Sequence, residues 1–519
     1  MATSAQIRGP DLTAGIHEDL LREGEVLLGH VGEENVMLTR QGQEIYAIGA
    51  VCSHYGGPLQ EGTIEGTDVH CPWHHSVFSL RTGEALKPPA LNPVSCFRTE
   101  VRENMIYVTE KIAFVPPRRK GTETQQFLII GSGAAGVSAA VTLRRQGFLG
   151  SVTIVSEDKF LPYDRPNLSK DYLAGNAPEE WIPLWSKEFY EQNHIRFELS
   201  TRAEKIDATK KQVHLSNGKT LHYDKCLLAT GGKPIKPPIP GIEKDHVYML
   251  RSLQDCRRII ARTSWASRVL IIGAGFIGLE AAASLRARNM DVLVVAPEEM
   301  PLMKVLGVHV GSFLKKIHEE HGVEFHLGHT VKEIRDRSVV LDSKVALDCD
   351  FVIVGTGIKP DTDLAEQAGC EIDNGVLVNE YLETTVPDIF AAGDIARWPD
   401  PHAKRRIRVE HWEVAERHGQ VAALNMLGDH VHFQDVPFFW TQHYDVSLGY
   451  IGFSDSFDRM DVMGSIEKRD FAVAFYEDTE VAALLTVGRD RESLLVEEAL
   501  AHFDQKRVHQ ILSDYESRI

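Results

Sequence analysis

The residues best suited to chemistry stand in two boxes near the start of the chain, Cys52-Ser53-His54 and Cys71-Pro72-Trp73-His74, with sixteen residues between His54 and Cys71. Each box brings one thiol and one imidazole. A zinc site also uses both ligand types, but more often groups its cysteines in one pair and its histidines in another. One Cys and one His per box suits a [2Fe–2S] cluster with unlike irons, thiolates on one and imidazoles on the other. Four unrelated residues in a β-rich segment are the plain alternative. A cluster of this kind moves single electrons, so the rest of the chain has to supply a donor or an acceptor.

The flanking residues decide between these readings. Gly56-Gly57-Pro58-Leu59 follows the first box, and Ser76, Phe78, Thr82 and Gly83 follow the second. This resembles the Rieske pattern of a Cys-x-His box, a Cys-Pro-x-His box and a following Phe and Thr-Gly, and the resemblance implies Cys52, His54, Cys71 and His74 as the metal ligands. Rieske proteins of respiratory complexes carry an extra, disulfide-forming Cys in each box, where this chain has Gly57 and Trp73. It is similar instead to the Rieske-type ferredoxins of oxygenase systems, which implies a lower potential within the Rieske range. His75 stands where the family usually has Gly; it is expected to alter backbone hydrogen bonding to a cluster sulfur, or to act as a decoy ligand.

Further along, Phe127-Leu128-Ile129-Ile130 leads into Gly131-Ser132-Gly133-Ala134-Ala135-Gly136, an Ala-rich helical stretch through Leu143, and the strand Val152-Thr153-Ile154-Val155, which ends at Ser156-Glu157. Strand, glycine turn, helix, strand and acid make a dinucleotide-binding unit. The glycines permit the tight turn and the close approach of a pyrophosphate to the helix N-terminus. An acid such as Glu157 can bond a ribose hydroxyl. The unit returns at 269–295, with Gly273-Ala274-Gly275-Phe276-Ile277-Gly278, then Glu280 and a second Ala-rich helix. Two such units most simply bind two dinucleotides.

The set resembles the two-dinucleotide flavoprotein reductases, which hold FAD in the first unit and NAD(P)H in the second. Leu228-Ala229-Thr230-Gly231 is similar to the family's return from the first FAD segment, and Val354-Gly355-Thr356-Gly357-Ile358-Lys359-Pro360 to the end of its nucleotide domain. Phe390-Ala391-Ala392-Gly393-Asp394 resembles its second FAD segment, whose Asp bonds the ribityl chain. Thr230, Gly231, Gly357, Gly393 and Asp394 thereby join the glycines and Glu157 as cofactor-binding candidates. Disulfide reductases of this superfamily have a redox Cys pair beside the flavin. Here Tyr163-Asp164-Arg165-Pro166-Asn167-Leu168-Ser169-Lys170 is similar to the oxygenase-coupled ferredoxin reductases and the apoptosis-inducing-factor-like group, so no thiol relay is expected. The resemblance places Arg165 and Lys170 near the flavin, and we take Lys170, Arg165 and Glu280 as catalytic and cofactor-binding candidates. A cation beside the ring would stabilise charge on the reduced flavin; a surface Arg and Lys capping a helix is the alternative. In the family, aromatic segments at the positions of Trp412 and Trp440 lie against the isoalloxazine, against the alternative of buried structural tryptophans. A Rieske domain ahead of such a reductase resembles the Rieske-containing apoptosis-inducing-factor-like proteins, and the likeness reaches Pro437-Phe438-Phe439-Trp440-Thr441.

The resemblance implies an NAD(P)H-dependent flavoprotein oxidoreductase of the ferredoxin-reductase type. Electrons would pass from NAD(P)H through FAD to the fused [2Fe–2S] cluster, and then to an external one- or two-electron acceptor. Hydride transfer needs stacking and orientation, so no general base is expected. Two rivals stay open: an NAD(P)H oxidase or quinone reductase, and a redox-sensing interaction protein. A Rieske oxygenase is disfavoured, because no two-His-one-carboxylate iron site is evident. NAD-binding relatives often end the second strand of the nucleotide unit on Glu, but here Val295 is followed by Ala296-Pro297-Glu298-Glu299. An Arg for a 2′-phosphate is missing from the next few residues, and the nearest base is Lys304. NADH is favoured over NADPH.

These residues need several domains to position them. The 519 residues are enough for roughly three or four units. The fold class expected is multidomain: an N-terminal all-β Rieske domain over 1–112, a linker over 113–125, two α/β Rossmann-like units, and a C-terminal α+β interface domain over 436–519. The FAD-binding unit spans 126–250 and 376–435, around a nucleotide unit at 251–375. The basic linker run Arg118-Arg119-Lys120 reads as solvated rather than as a docking patch, the end of the chain as helix-like over 491–513, and its part 491–503, with Leu494, Leu495, Ala499 and Leu500, as core rather than a partner box. Apolar residues make up 43% of the chain, enough for real cores. A net charge of −18 disfavours nucleic acid and anionic membrane as partners. The first twenty residues hold Asp11, Glu18 and Asp19 without an apolar run, unlike a signal peptide. No stretch approaches about 18 apolar residues, so no membrane span is expected. Seven sparse cysteines suit a reducing, cytoplasmic setting. Monomer and homodimer both stay open.

Overall fold

The computed structural model describes residues 7–113 and 120–516. Residues 114–119 of the expected linker, including Arg118 and Arg119, lie outside the described residues. Lys120 is not a docking cation: its ammonium is 2.7 Å from Asp429.

Short apolar runs separated by turns build the N-terminal domain. Val26–Val31, Glu34–Gln41 and Glu44–Gly49 pair antiparallel in sequence order, and Cys96–Arg102, Met105–Lys111 and Ile16–His17 extend them to a six-stranded sheet. A four-stranded sheet, Thr63–Glu65, Asp68–His70, Val77–Ser79 and Ala85–Lys87, carries the second Cys/His box. Cys52 follows the strand Glu44–Gly49, and Cys71 directly follows Asp68–His70. Both thiols are buried in a core with Met37, Ile48, Phe78 and Leu80.

The two glycine units fold alike. In the first, Gln126–Ile130 lies between Ser151–Val155 and Lys225–Leu228 in an all-parallel sheet, with Ile195–Glu198 and Ile389–Ala391 at its edges. In the second, Arg268–Ile272 lies between Asp291–Ala296 and Phe351–Val354, with Val323–Leu327 and Val247–Met249 outside them. Parallel strands buried on both faces read as continuous Val, Ile and Leu runs, as these do. Two boundaries differ from the sequence expectation. Val247–Met249 pairs with Phe351–Val354, so the nucleotide sheet begins before residue 251. Leu364, Ala365 and Cys370 pack in the core of the first unit, so the chain has left the nucleotide unit well before residue 375.

The C-terminal unit is an antiparallel sheet ordered Phe438–His443, Val446–Gly452, Glu480–Val487, Asp470–Glu477, Arg459–Ser465, backed by the helices Asp490–Ala501 and Gln505–Glu516. The expected single helix is thus two. Ala499 and Leu500 face the core with Leu495 packed against it, and Leu494 is buried, as expected of the first.

The N-terminal domain is seated on the rest of the chain through a buried charge cluster. His75 is 1% exposed, pairs through Nδ1 with Glu497, and stacks on Phe438 with ring centroids 3.9 Å apart. Arg417, 2% exposed on the helix Trp412–Met426, reaches Glu497 at 3.3 Å and pairs with the fully buried Glu413. Lys87 meets Asp435 at 2.8 Å. His75 thereby has its ring turned away from the cluster corner and is not placed as a decoy ligand. Its backbone is left-handed, φ 60°, which explains a glycine preference at that position, and its ring is turned into the C-terminal domain. Removing one partner of a buried ion pair strands the others without solvation. Arg417→Ala is expected to cost about 3–5 kcal/mol, read as an earlier urea transition.

Candidate redox site

Two loops of the N-terminal domain fold identically around the boxes. Cys52 N donates to Gly57 O at 2.8 Å and Cys71 N to Ser76 O at 2.8 Å, while Gly56 N and His75 N return to Cys52 O and Cys71 O at 3.1 Å. The loops bring the side chains together as a thiol pair and an imidazole pair. The Cys71 thiol donates to Cys52, and with the His54 and Tyr55 amides this lowers the Cys52 thiol toward thiolate. The Nδ1 atoms of His54 and His74 face one another at 3.2 Å. Burial pushes His54 down to about 3 and His74 well below its ordinary value, so both rings are neutral and have a lone pair for a metal. Among the described residues, no three His, Cys, Asp or Glu side chains converge as a single-metal site. Two ligand pairs fit a two-iron cluster better than one tetrahedral zinc.

A cleft of about 1390 Å³ runs across the two parallel sheets and under the C-terminal sheet. It is lined by Gly131, Gly133, Glu157, Arg165, Lys170, Thr230, Gly231, Gly275, Glu280, Gly357, Gly393, Asp394, Trp412 and Trp440, all expected from the sequence. Gly136, Gly273 and Gly278 do not line it. Their task is packing: a Cβ on Gly136 would fall 2.0 Å from Gly131 O, so only glycine lets the helix Ala134–Arg145 sit this close to its strand. Gly133 has nothing within 4 Å of where its Cβ would be, which leaves its backbone open to a phosphate at the helix N-terminus. The helix Trp412–Met426 also opens its N-terminus into the cleft. The cleft fits an extended dinucleotide.

Charge is arranged along it. Glu157, at the end of its strand, pairs with Arg202 at 3.1 Å. Arg251 reaches Asp394 Oδ2 at 3.2 Å. Arg165 is held by Arg251 O at 3.1 Å and lies over the Tyr163 ring. Thr230 Oγ1 donates to Asp361 O at 2.7 Å, so this hydroxyl ties the two sheets together. Lys170 Nζ is 2.8 Å from Glu280 Oε2, and the buried Glu280 also accepts from Ser169 at 2.6 Å and Thr441 at 2.6 Å.

The cleft and the imidazole pair meet at one side chain. Trp440 lines the cleft, and its ring lies 4.2 Å from that of His74 and 5.8 Å from that of His54. Tyr55 stacks on His54 at 3.9 Å and binds Asp164 and Asn167 of the Tyr-Asp-Arg-Pro segment. Burial raises the Asp164 carboxyl. Sequence reasoning missed Arg202, Arg251, Tyr55, Asp164 as a contact, Thr441 and His411. The last stacks on Phe439 at 4.1 Å. Asp164 and Thr441 carried a signal, since each sits inside a segment that marked the resemblance, and His411 stands directly before Trp412; Arg202, Arg251 and Tyr55 carried none.

Comparison with known proteins agrees with this geometry. The pyridine nucleotide-disulphide oxidoreductase family matches residues 125–419, the Rieske [2Fe-2S] domain residues 13–98, and the reductase C-terminal domain residues 438–516. Human apoptosis-inducing factor 3 is 33% identical over 93% of this chain and 83% of its own length. Putidaredoxin reductase CamA of Pseudomonas putida is 33% identical over 70% of this chain and 89% of its own. The covalent putidaredoxin reductase–putidaredoxin complex superposes with a TM-score of 0.72 at 30% identity, covering 76% of this chain and 100% of that one.

The tight approach at Gly57 gives a test of the cluster corner. A Cβ there would stand 2.7 Å from Cys71 Sγ and 3.3 Å from the Trp73 ring. Gly57→Ala is expected to lower iron and acid-labile sulfide per chain while flavin content holds, checked by metal analysis and visible absorption of the purified protein.

Proposed function

The chain belongs to the pyridine nucleotide-disulphide oxidoreductase family, and from that premise we propose an NAD(P)H-dependent oxidoreductase whose FAD-binding reductase feeds its own Rieske domain. The observation that carries this reading is Trp440, one indole in contact with both the cofactor cleft and His74. FAD bound there would supply the conversion of a hydride into single electrons, and a [2Fe–2S] cluster a one-electron acceptor for them. The chain's own residues bind and orient. Cys52 and Cys71 hold one iron and His54 and His74 the other. Gly131 and Gly133 receive the FAD pyrophosphate, Glu157 its ribose, and Asp394 its ribityl chain. Gly275 and Gly357 border the nicotinamide nucleotide. Lys170 and Arg165 bring positive charge to the flavin, and Glu280 holds Lys170 in place.

The relatives named as ferredoxin reductases point to a ferredoxin-type acceptor. In this chain the fused Rieske domain takes that place, and an external acceptor follows it. NADH is the preferred donor, because Ala296 ends its strand with no arginine among the next few residues. No helix among the described residues is long and apolar enough to cross a membrane, and we place the protein in the cytoplasm.

Anaerobic rapid mixing with NADH, and separately NADPH, tests the reading. Flavin bleaching followed by loss of the oxidised-cluster bands supports it, and flavin bleaching with a permanently oxidised cluster sinks it in favour of an oxidase or quinone reductase. Trp440→Ala is expected to slow cluster reduction by more than it slows flavin bleaching, measured in the same traces.

A further inference from the structure

Beyond the cleft, Glu280 begins an unbroken line of hydrogen bonds to the protein surface. Its Oε1 accepts from Thr441 Oγ1 at 2.6 Å. Thr441 Oγ1 lies 3.1 Å from His443 Nε2, and His443 Nδ1 lies 3.2 Å from His318 Nε2. His318 Nδ1 lies 3.3 Å from the Tyr444 hydroxyl. Thr441, His443 and His318 are buried, whereas Tyr444 is half-buried and stacks at 3.6 Å on the exposed His321. These groups come from the helices Phe276–Ala287 and Met303–Glu320, the strand Phe438–His443 and the residue after it.

The reaction needs such a path. A hydride brings one proton with two electrons. When the electrons leave singly, NAD(P)H has become NAD(P)⁺ and one proton remains in the cleft for every pair. We propose that Thr441, His443, His318 and Tyr444 conduct that proton between Glu280 and solvent. This rests on the electron route of the preceding section.

The direction of every donor follows from Glu280. A carboxylate only accepts, so Thr441 donates to it and must accept from His443 Nε2–H. His443 Nδ1 then accepts from His318 Nε2–H, and His318 Nδ1 accepts from Tyr444. Burial keeps both rings neutral, His443 at about 3 and His318 at about 2, so each offers one donor and one acceptor. With Glu280 protonated from the cleft on its Thr441 side, the Thr441 hydroxyl turns toward His443, and each ring gives its Nε2 hydrogen to water and takes one from water at Nδ1, which reverses the line with no net proton moved and leaves both rings as Nδ1–H. The outward step forms Thr441 O–H as the Glu280 O–H breaks, and each later group gains one hydrogen and gives up another. The proton leaves from Tyr444, Glu280 is again a carboxylate, and both rings are again Nε2–H. Thr441, His443, His318 and Tyr444 are positioning residues, since they act through Glu280.

Glu280→Gln imitates the protonated state. Lys170 and Ser169 both donate to the Oε2 side, so the amide oxygen takes that side and its NH₂ faces Thr441. Nitrogen NMR of the flavin-loaded full chain, labelled at histidine, is expected to show His443 and His318 as Nε2–H in the wild type and both as Nδ1–H in Glu280→Gln. Adding Thr441→Val to Glu280→Gln should abolish the reversal. Unchanged tautomers in Glu280→Gln would overturn the proposal, whereas simple packing of two histidines predicts that outcome. Proton appearance, followed with an indicator dye during reoxidation of the photoreduced protein, is expected to lag the electrons by about a hundredfold in His443→Phe, the low end for a lost positioned proton carrier; synchronous release in that variant would also overturn it. Photoreduction needs no nucleotide and the tautomers need no turnover, so failure of the electron route leaves both readouts interpretable.

Discussion

The geometry of this protein depends on burying a charged set that is stable only when complete. His75, Arg417 and Glu413 are buried together around the mostly covered Glu497, and their charged neighbours are mainly one another. Charges removed from water cost several kcal/mol apiece unless the pairing is good. Such a cluster therefore resists partial opening and specifies one arrangement. It also explains an expense at His75. A left-handed side-chain-bearing residue costs roughly 1–2 kcal/mol, and the stacking on Phe438 and the Glu497 pair offset that strain.

From that seam the redox arrangement follows. Glu497 sits on the helix that packs behind the C-terminal sheet, and Arg417 on the helix whose first turn opens into the cofactor cleft. The strand holding Trp440 lies between them. Fixing the N-terminal domain here fixes the distance from His74 to Trp440. Further bonds repeat the placement: Gln420 to Leu86 O at 2.7 Å, Trp185 to Asn92 at 2.9 Å, and Tyr55 to Asp164. Transfer between the cofactor sites is then a step within one molecule, with no encounter to wait for.

What could be read from the sequence was whatever chemistry is local. A strand, a glycine turn and a helix declare a phosphate cradle within thirty residues or so, and the Cys/His boxes declare their ligands in the same way. The Tyr-Asp-Arg-Pro segment pointed to Lys170, which lines the cleft. The unread part is made of partners far apart in the chain. Thr441 and His318 serve Glu280 only because a C-terminal strand lies across a nucleotide-unit helix. His443 and Tyr444 look in sequence like ordinary strand-end residues. The partner of the His75 ring was not legible, because Glu497 is 422 residues away. The boundary near 250 was missed because the strand Val247–Met249 is short and joins its sheet from outside.

The first parallel sheet has its last strand, Ile389–Ala391, on the far side of the whole nucleotide unit. During synthesis the ribosome therefore releases a finished N-terminal domain and a finished nucleotide unit while the flavin fold is still missing an edge. Domains tend to fold as they emerge, so this inserted unit becomes a folded body tethered to an incomplete neighbour. The cleft cannot be closed until the strand Ile389–Ala391, the turn Gly393–Ile395 that follows it and the helix Trp412–Met426 have arrived. Loading of the cofactor is thereby postponed to the final fifth of translation, when the N-terminal domain is already folded but its seat around Phe438 and Glu497 is still to be made.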